Sequence, residues 1–174
     1  MPSAVLVPLF LAEPPAPQGI DGLHAVFTRR RDDLRRHAGE VSFPGGRQDA
    51  ADADLRATAL REAEEEIGLS PADVTVAGAL AATSTFATNY AIHPFVGLIA
   101  PGRQWKVSPR EVEEVLEHSL ADLRAGYQRA DVTRRGVTFR TDAYAVGDTF
   151  IWGATARMLG DLLDRVEALQ TSAV

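Results

Sequence analysis

The chain has 174 residues, of which 45% are hydrophobic, and this size suits a single domain with a sizeable core. Its 18 lysines and arginines are outnumbered by 24 acidic residues, and the net charge of -6 argues against a nucleic-acid partner. The sequence has no cysteine, which excludes disulfides, cysteine nucleophiles and thiolate metal sites. Because no segment approaches a membrane span either, we expect a cytoplasmic protein without a membrane partner.

Two strands and an arginine-rich segment open the chain. The apolar patterns predict strands over residues 4–10 and 23–28, joined by a proline-containing connection. Residues 29–37 then bring together five arginines and one histidine. This segment is either a solvated surface whose arginines pair with its own Asp32 and Asp33, or a binding site for an anionic substrate. The second interpretation follows from the guanidinium fork, which suits bidentate phosphate binding.

A glycine turn followed by a helix comes next. Pro44-Gly45-Gly46 follows an apolar extended piece, and glycine lets the backbone approach a ligand closely there. A helix is predicted from about Asp54, and Gly68 is typical of a helix end. Its buried face is predicted from apolar residues at helical spacing, namely Leu55, Ala59, Leu60, Ala63 and Ile67.

Three carboxylates share one face of this helix. Glu62, Glu65 and Glu66 lie at positions i, i+3 and i+4, which are neighbours on adjacent helical turns. Like charges so close repel, so either water screens them as a solvated acidic face or a cation lies between them. Ligands that are all carboxylates favour a hard ion such as Mg2+ or Mn2+ over zinc.

These residues resemble the Nudix box, whose pattern is a glycine, a spaced acid and then R-E-apolar-x-E-E-x-G-apolar. The second half is complete in Arg61, Glu62, Ala63, Glu65, Glu66, Gly68 and Leu69. In the first half, counting from Gly46 places the acid on Asp52 in place of glutamate, and one extra residue separates it from Arg61.

Residues 28–46 carry a second resemblance, to the signature upstream of the box in the coenzyme A diphosphatase branch of Nudix hydrolases. The matching positions are Thr28, Arg30, Arg35, Gly39, Phe43, Pro44, Gly45 and Gly46. Arg31 stands where that signature has serine or alanine. We therefore predict that the substrate is bound by Arg30, Arg35, His37, Gly45 and Gly46.

Beyond the box, the pattern predicts a strand over residues 74–80, a polar loop over 82–90 and a strand over 92–100. A short helix over 120–125, a strand over 137–144 and a long C-terminal helix over 150–169 follow. The acidic segment 105–120 is ambiguous between helix and strand. Nudix enzymes often take a further glutamate from such a loop as metal ligand or base. By that similarity we choose Glu111 first and Glu114 second, with plain surface acids as the alternative.

The Nudix resemblance implies an α/β fold in which a mixed β-sheet lies between helices, as one domain over residues 1–174. It also implies Mg2+ or Mn2+ held by Glu62, Glu65 and Glu66 with the Gly46 carbonyl. Arg61 would orient these carboxylates, and Glu111 completes the predicted catalytic set.

The branch resemblance implies a small-molecule substrate, coenzyme A or a derivative, that is hydrolysed at its diphosphate linkage. The products would be 4'-phosphopantetheine, or its acyl form, and adenosine 3',5'-bisphosphate. Two alternatives stay open: a Nudix hydrolase for ADP-ribose, NADH or a dNTP, and a non-catalytic Nudix domain that senses a nucleotide. The sequence also leaves open whether the protein forms a homodimer.

Overall fold

The computed structural model describes residues 2–14, 19–33, 39–84, 90–134 and 136–172. Its strands are β1 (Ser3–Leu11), β2 (Leu23–Arg30), β3 (Val41–Ser42), β4 (Gly45–Arg47), β5 (Thr75–Ala79), β6 (Thr83–Ser84), β7 (Ala91–Leu98), β8 (Val112–Ser119), β9 (Tyr127–Arg134), β10 (Val137–Val146) and β11 (Thr149–Trp152). Its α-helices are α1 (Leu55–Ile67), α2 (Leu120–Ala125) and α3 (Gly153–Ser172), and short 3-10 turns occur at Gly19–Gly22 and Pro71–Asp73.

A mixed sheet forms the centre of the fold. Within the described residues it has eight strands, with β3-β2-β1-β7-β5 as the main order, while β11-β10-β9 form a separate antiparallel sheet. β1 runs parallel to β7. Two strands share the other edge of β1, because β2 pairs with its residues 9–11 and β4 pairs with its residues 3–5. The glycine turn is therefore fixed beside the first residues of the central strand.

The side chains of β1 alternate between two core layers, as expected of a strand that is covered on both faces. One layer joins Ala4, Leu6 and Phe10 to Ala59, Ala63 and Ile67 of α1. The other joins Val5, Val7 and Leu9 to Leu120, Leu123, Leu159, Leu162 and Leu163 of α2 and α3. Full burial of one such Leu or Ile side chain stabilises a fold by about 1.5–3 kcal/mol. The predicted arrangement, a mixed sheet between helices, is confirmed.

Both ends of α1 are fixed by capping residues at the predicted positions. The Asp54 carboxylate accepts a hydrogen bond from the backbone N–H of Ala57 at 2.7 Å, which is the usual role of an N-cap aspartate. Gly68 ends the helix in the left-handed conformation, with φ 69°, and its N–H donates to the Glu64 carbonyl at 3.0 Å. These caps fix the register of the three carboxylates on α1.

The structure corrects several predicted elements. The ambiguous acidic segment contains a strand, β8, which pairs with β2 over most of its length. The helix predicted from residue 150 begins at Gly153, because residues 149–152 pair with β10 as β11. β9 was not predicted at all, since most of its side chains are polar. The predicted loop 82–90 contains β6, and its residues 85–89 lie outside the described residues.

The helices in the described part of the chain are all too short or too polar to cross a membrane.

Candidate active site

The two glycines of β4 bring the backbone into direct contact with the carboxylates of α1. The N–H of Gly45 donates to Oε2 of Glu66 at 3.2 Å. A Cβ atom on Gly46 would lie 2.5 Å from both Cδ and Oε1 of Glu62 and 2.7 Å from Oε2. Any other residue at position 46 would therefore displace the Glu62 carboxylate, which gives a physical reason for this second glycine.

Glu66 is the most buried acid of the site, with only 5% of the residue exposed. Burial raises its pKa to about 8, and the charges of Glu62 and Glu111 act in the same direction. The Gly45 N–H and the Arg30 charge oppose this rise. Burial also raises the pKa of Glu62, although Arg61 partly offsets the effect. The fold thus concentrates carboxylates where water solvates them poorly, which is typical of functional sites.

Arg61 connects the helix carboxylates to the loop that precedes α1. Its Nε and Nη2 donate to Asp52 at 2.9 and 3.0 Å, and its Nη2 lies 3.0 Å from Oε1 of Glu62. Its Nη1 donates to both carboxylate oxygens of Glu65 at 3.2 Å. The hydrogen bond from Arg61 is the main reason that the pKa of Asp52 lies well below its usual range. Arg61 therefore has the geometry of an orienting residue.

The loop before β8 is bound to α1 and places Glu111 near its carboxylates. The N–H of Ser108 donates to the Glu66 carbonyl at 2.8 Å, and the N–H of Lys106 donates to that of Ile67 at 3.2 Å. The backbone of Glu111 is held in turn by a hydrogen bond from its N–H to the Ser108 carbonyl, at 3.2 Å. Its charge contributes to the raised pKa values of Glu62 and Glu66.

Glu114, the second choice for the additional glutamate, is paired elsewhere. Its Oε1 lies 2.7 Å from Nε of Arg29. Arg29 and Glu114 occupy the same register in the β2–β8 ladder, and the guanidinium of Arg29 also lies 3.5 Å from Asp148. Of the two predicted glutamates, Glu111 is therefore the one whose charge acts on the α1 carboxylates.

The arginines of the segment 29–37 divide between the two interpretations. Arg31 pairs with Asp33 of its own segment at 2.6 Å, as the surface interpretation expects. Arg30 differs, because its Nε is buried without a hydrogen-bond partner among the described residues and its charge lowers the pKa of Glu66. It is a buried donor available beside the acidic site. The other two predicted substrate contacts, Arg35 and His37, lie outside the described residues.

The donor chemistry of the site fits a hard divalent cation, since the charges of Glu62 and Glu111 act on the buried carboxyl of Glu66. In the residues that the structure describes, however, no three acidic or histidine side chains converge as a ready-made metal site. Arg61 pairs with Glu62 and Glu65. The Glu65 side chain is 60% exposed and has room to move toward a cation.

Comparison with known proteins identifies the family. A model of the NUDIX domain matches residues 19–138. The uncharacterized Nudix hydrolase NudL of Salmonella newport is 41% identical over 162 residues, which cover 92% of this chain and 80% of NudL. The chain belongs to the Nudix family. The prediction that it is an enzyme, a Nudix pyrophosphohydrolase, is confirmed by this membership.

Solved structures show the same fold at low sequence identity. The Nudix hydrolase RenU of M. smegmatis has a TM-score of 0.61 and 13% identity, over 98% of this chain and 86% of RenU. The NUDIX domain of Shewanella oneidensis NrtR, solved in complex with ADP ribose, has a TM-score of 0.50 and 17% identity, over 71% of this chain and 75% of that one. The predicted Nudix fold is therefore confirmed.

In this Nudix hydrolase, the contacts of Asp52, in the first half of the box, were not predicted from the sequence. Asp52 accepts hydrogen bonds from Thr58 Oγ1 and from the Asp49 N–H, both at 2.9 Å, in addition to those from Arg61. The N-cap at Asp54 was the available signal. It starts the helix so that Thr58 and Arg61, three residues apart, lie on one face beside the Asp52 loop.

Proposed function

We propose that this Nudix hydrolase cleaves the diphosphate linkage of coenzyme A or one of its derivatives with the help of Mg2+ or Mn2+. The observation that carries the proposal is the buried Glu66, which accepts a hydrogen bond from the Gly45 N–H and whose pKa responds to the charges of Glu62 and of Arg30, whose buried Nε has no partner among the described residues. Acids and a basic donor in one place suit a ligand made of a metal and a diphosphate. The coenzyme A assignment rests on the signature that includes Thr28, Arg30 and Gly39.

The metal, when bound, would neutralise diphosphate charge and lower the pKa of the attacking water. Glu62, Glu65 and Glu66 would hold it together with the Gly46 carbonyl. Arg61 would keep these carboxylates in place, because it binds two of them and is itself held by Asp52.

The remaining residues would act on the water and the substrate. Glu111 would accept the proton of the attacking water. As water adds to phosphorus, the bond to the bridging oxygen breaks, and the products are phosphopantetheine, or its acyl form, and adenosine 3',5'-bisphosphate. Arg30, Arg35, His37 and the Gly45 backbone would bind the phosphate oxygens.

A second candidate substrate is ADP-ribose. The NUDIX domain of NrtR, whose fold is similar, was solved with ADP ribose bound. The same metal site would serve for that diphosphate, for NADH or for a dNTP, and the difference would lie in the residues that bind the rest of the molecule.

Glu65→Gln tests the proposed metal site. We expect this variant to lose turnover, because the amide replaces a charged metal ligand, and to keep its fold, because the side chain is largely exposed. The matched control is Glu64→Gln, since Glu64 is an exposed glutamate on the same helix. Initial rates and circular dichroism would be compared for both variants. Near-normal turnover in Glu65→Gln would refute the role of Glu65 as a metal ligand.

Arg30→Ala and Arg35→Ala test the proposed substrate. Each variant would be assayed with coenzyme A, ADP-ribose, NADH and a dNTP, and Arg56→Ala, which removes an exposed arginine of α1, is the control. If these arginines bind phosphates of coenzyme A, kcat/KM for coenzyme A should fall by about tenfold or more in both variants, as expected for a lost charged hydrogen bond. Unchanged values for coenzyme A would refute the assignment of the arginines.

A further inference from the structure

Arg31 is the position at which this chain departs from the coenzyme A diphosphatase signature, which has a small residue there. We infer that Arg31 is a positioning residue for Glu111, because its guanidinium fixes the turn of residues 108–111 that carries this glutamate to the α1 carboxylates. The inference rests on the proposed function, in which Glu111 accepts the proton of the attacking water.

The contacts of Arg31 span from its own segment to that turn. Its Nε and Nη2 donate to the two oxygens of Asp33, at 2.9 and 2.6 Å. Its Nη1 donates to the Pro109 carbonyl. Its backbone N–H donates to the Glu111 carbonyl at 3.2 Å. The planar fork is thus oriented by Asp33 on one edge while the other edge holds the turn.

The turn is attached on two sides, to α1 and to β2. Its first residue is bound to α1 through the Ser108 N–H, and the turn is closed by hydrogen bonds from Glu111 and Val112 to the Ser108 carbonyl, at 3.2 and 3.0 Å. Toward β2, the described residues hold it through the backbone and side chain of Arg31. The next residue, Val112, pairs with Arg30 in the β2–β8 ladder, so the guanidinium adds a side-chain contact at the middle of the turn.

A serine or alanine at position 31 could not make these contacts, because neither side chain reaches both Asp33 and the Pro109 carbonyl. The arginine therefore does more than add positive charge to the segment. Placement of a reacting group matters steeply, since a displacement of about 1 Å can reduce a rate by about a hundredfold.

A double-mutant cycle tests this inference with the full-length protein, its divalent metal and the substrate that the wild type cleaves fastest. Arg31→Ala should lower kcat by about tenfold while KM stays within about twofold, because substrate binding does not depend on the turn. In a Glu111→Gln background, the same change should alter kcat by less than about twofold, since the positioned group is already absent. Arg110→Ala, an exposed arginine in the same turn, is the control and should retain wild-type kcat.

Two further measurements distinguish a positioning role of Arg31 from a role of its charge alone, and a failure of this inference from a failure of the proposed function. Arg31→Lys keeps the charge but not the fork, so full recovery of kcat by lysine would contradict positioning. Amide hydrogen exchange at Glu111 and Val112 should be faster in Arg31→Ala, and unchanged exchange with unchanged kcat would overturn the inference while leaving the function intact. A wild type that cleaves no diphosphate would instead refute the proposed function and this inference with it.

Discussion

At the scale of single residues, Glu66 stands out as a buried acid among the described residues. It is buried on α1, and the hydrogen bond from the Gly45 N–H only partly offsets the cost of its charge. Its pKa of about 8 lies far above the ordinary value of 4.5. Without a cation, the buried carboxyl therefore carries a proton at neutral pH. With a cation, the charged form is favoured, so metal binding should release a proton.

The pH dependence of stability follows from this shift. Between about pH 4.5 and 8, folded Glu66 holds a proton that the unfolded chain has lost. The free energy of unfolding of the metal-free protein should therefore fall as pH rises through this window, by an amount on the order of 4 kcal/mol from this group. Saturating Mg2+ should reduce the fall.

Glu66→Gln isolates this contribution, because glutamine stays neutral at every pH in the window. In the metal-free state the variant should be more stable than the wild type at pH 8 and similar to it at pH 5, and it should bind Mn2+ more weakly. Urea unfolding at both pH values and calorimetric titration with Mn2+ measure the two effects. A wild type whose metal-free stability does not change between pH 5 and 8 would rule out the raised pKa.

At the scale of elements, the site depends on how closely β4 approaches α1. Gly46 allows that approach, since a Cβ atom at this position would meet the Glu62 carboxylate. The obstructing atoms are the end of a flexible side chain, so the fold can adjust while the carboxylate moves. The glycine is therefore expected to matter for metal binding as well as for stability.

Gly46→Ala should lower the affinity for Mn2+ by about tenfold or more, as changes beside metal ligands commonly do. It should lower stability by about 1–3 kcal/mol, as expected of a locally overpacked site. Gly78→Ala is the matched control, because a Cβ on this β5 glycine meets nothing within 4 Å. Thermal unfolding and Mn2+ titration separate the two effects. Equal Mn2+ affinity in both variants would show that the close approach is not needed.

At the scale of the whole molecule, the sequence predicted the parts that follow a periodic pattern. β1, β2, α1 and α2 were found because apolar periodicity and capping residues mark them locally. β9 was missed because most of its side chains are polar, and β11 was missed because most of its residues were included in the predicted C-terminal helix. The start of α3 was misplaced because residues 149–152 pair with β10 and are not helical.

The candidate site divides in a similar way. The carboxylates of α1 were predictable from their spacing, because a helix fixes which residues share a face. The contacts between elements were not predictable, since they depend on how loops fold back onto α1. Examples are the hold of Asp52 on Arg61, the Ser108 contact with Glu66 and the pairing of Glu114 with Arg29.

The most direct test of the central claim is product identification by mass spectrometry. The purified protein would be incubated with coenzyme A, with and without Mg2+ or Mn2+, beside ADP-ribose, NADH and a dNTP. We predict that phosphopantetheine and adenosine 3',5'-bisphosphate appear from coenzyme A when metal is present and disappear when it is chelated. Cleavage of ADP-ribose, NADH or the dNTP, but not of coenzyme A, would support the metal site and refute the coenzyme A assignment. Absence of metal-dependent cleavage of all four compounds would contradict the account.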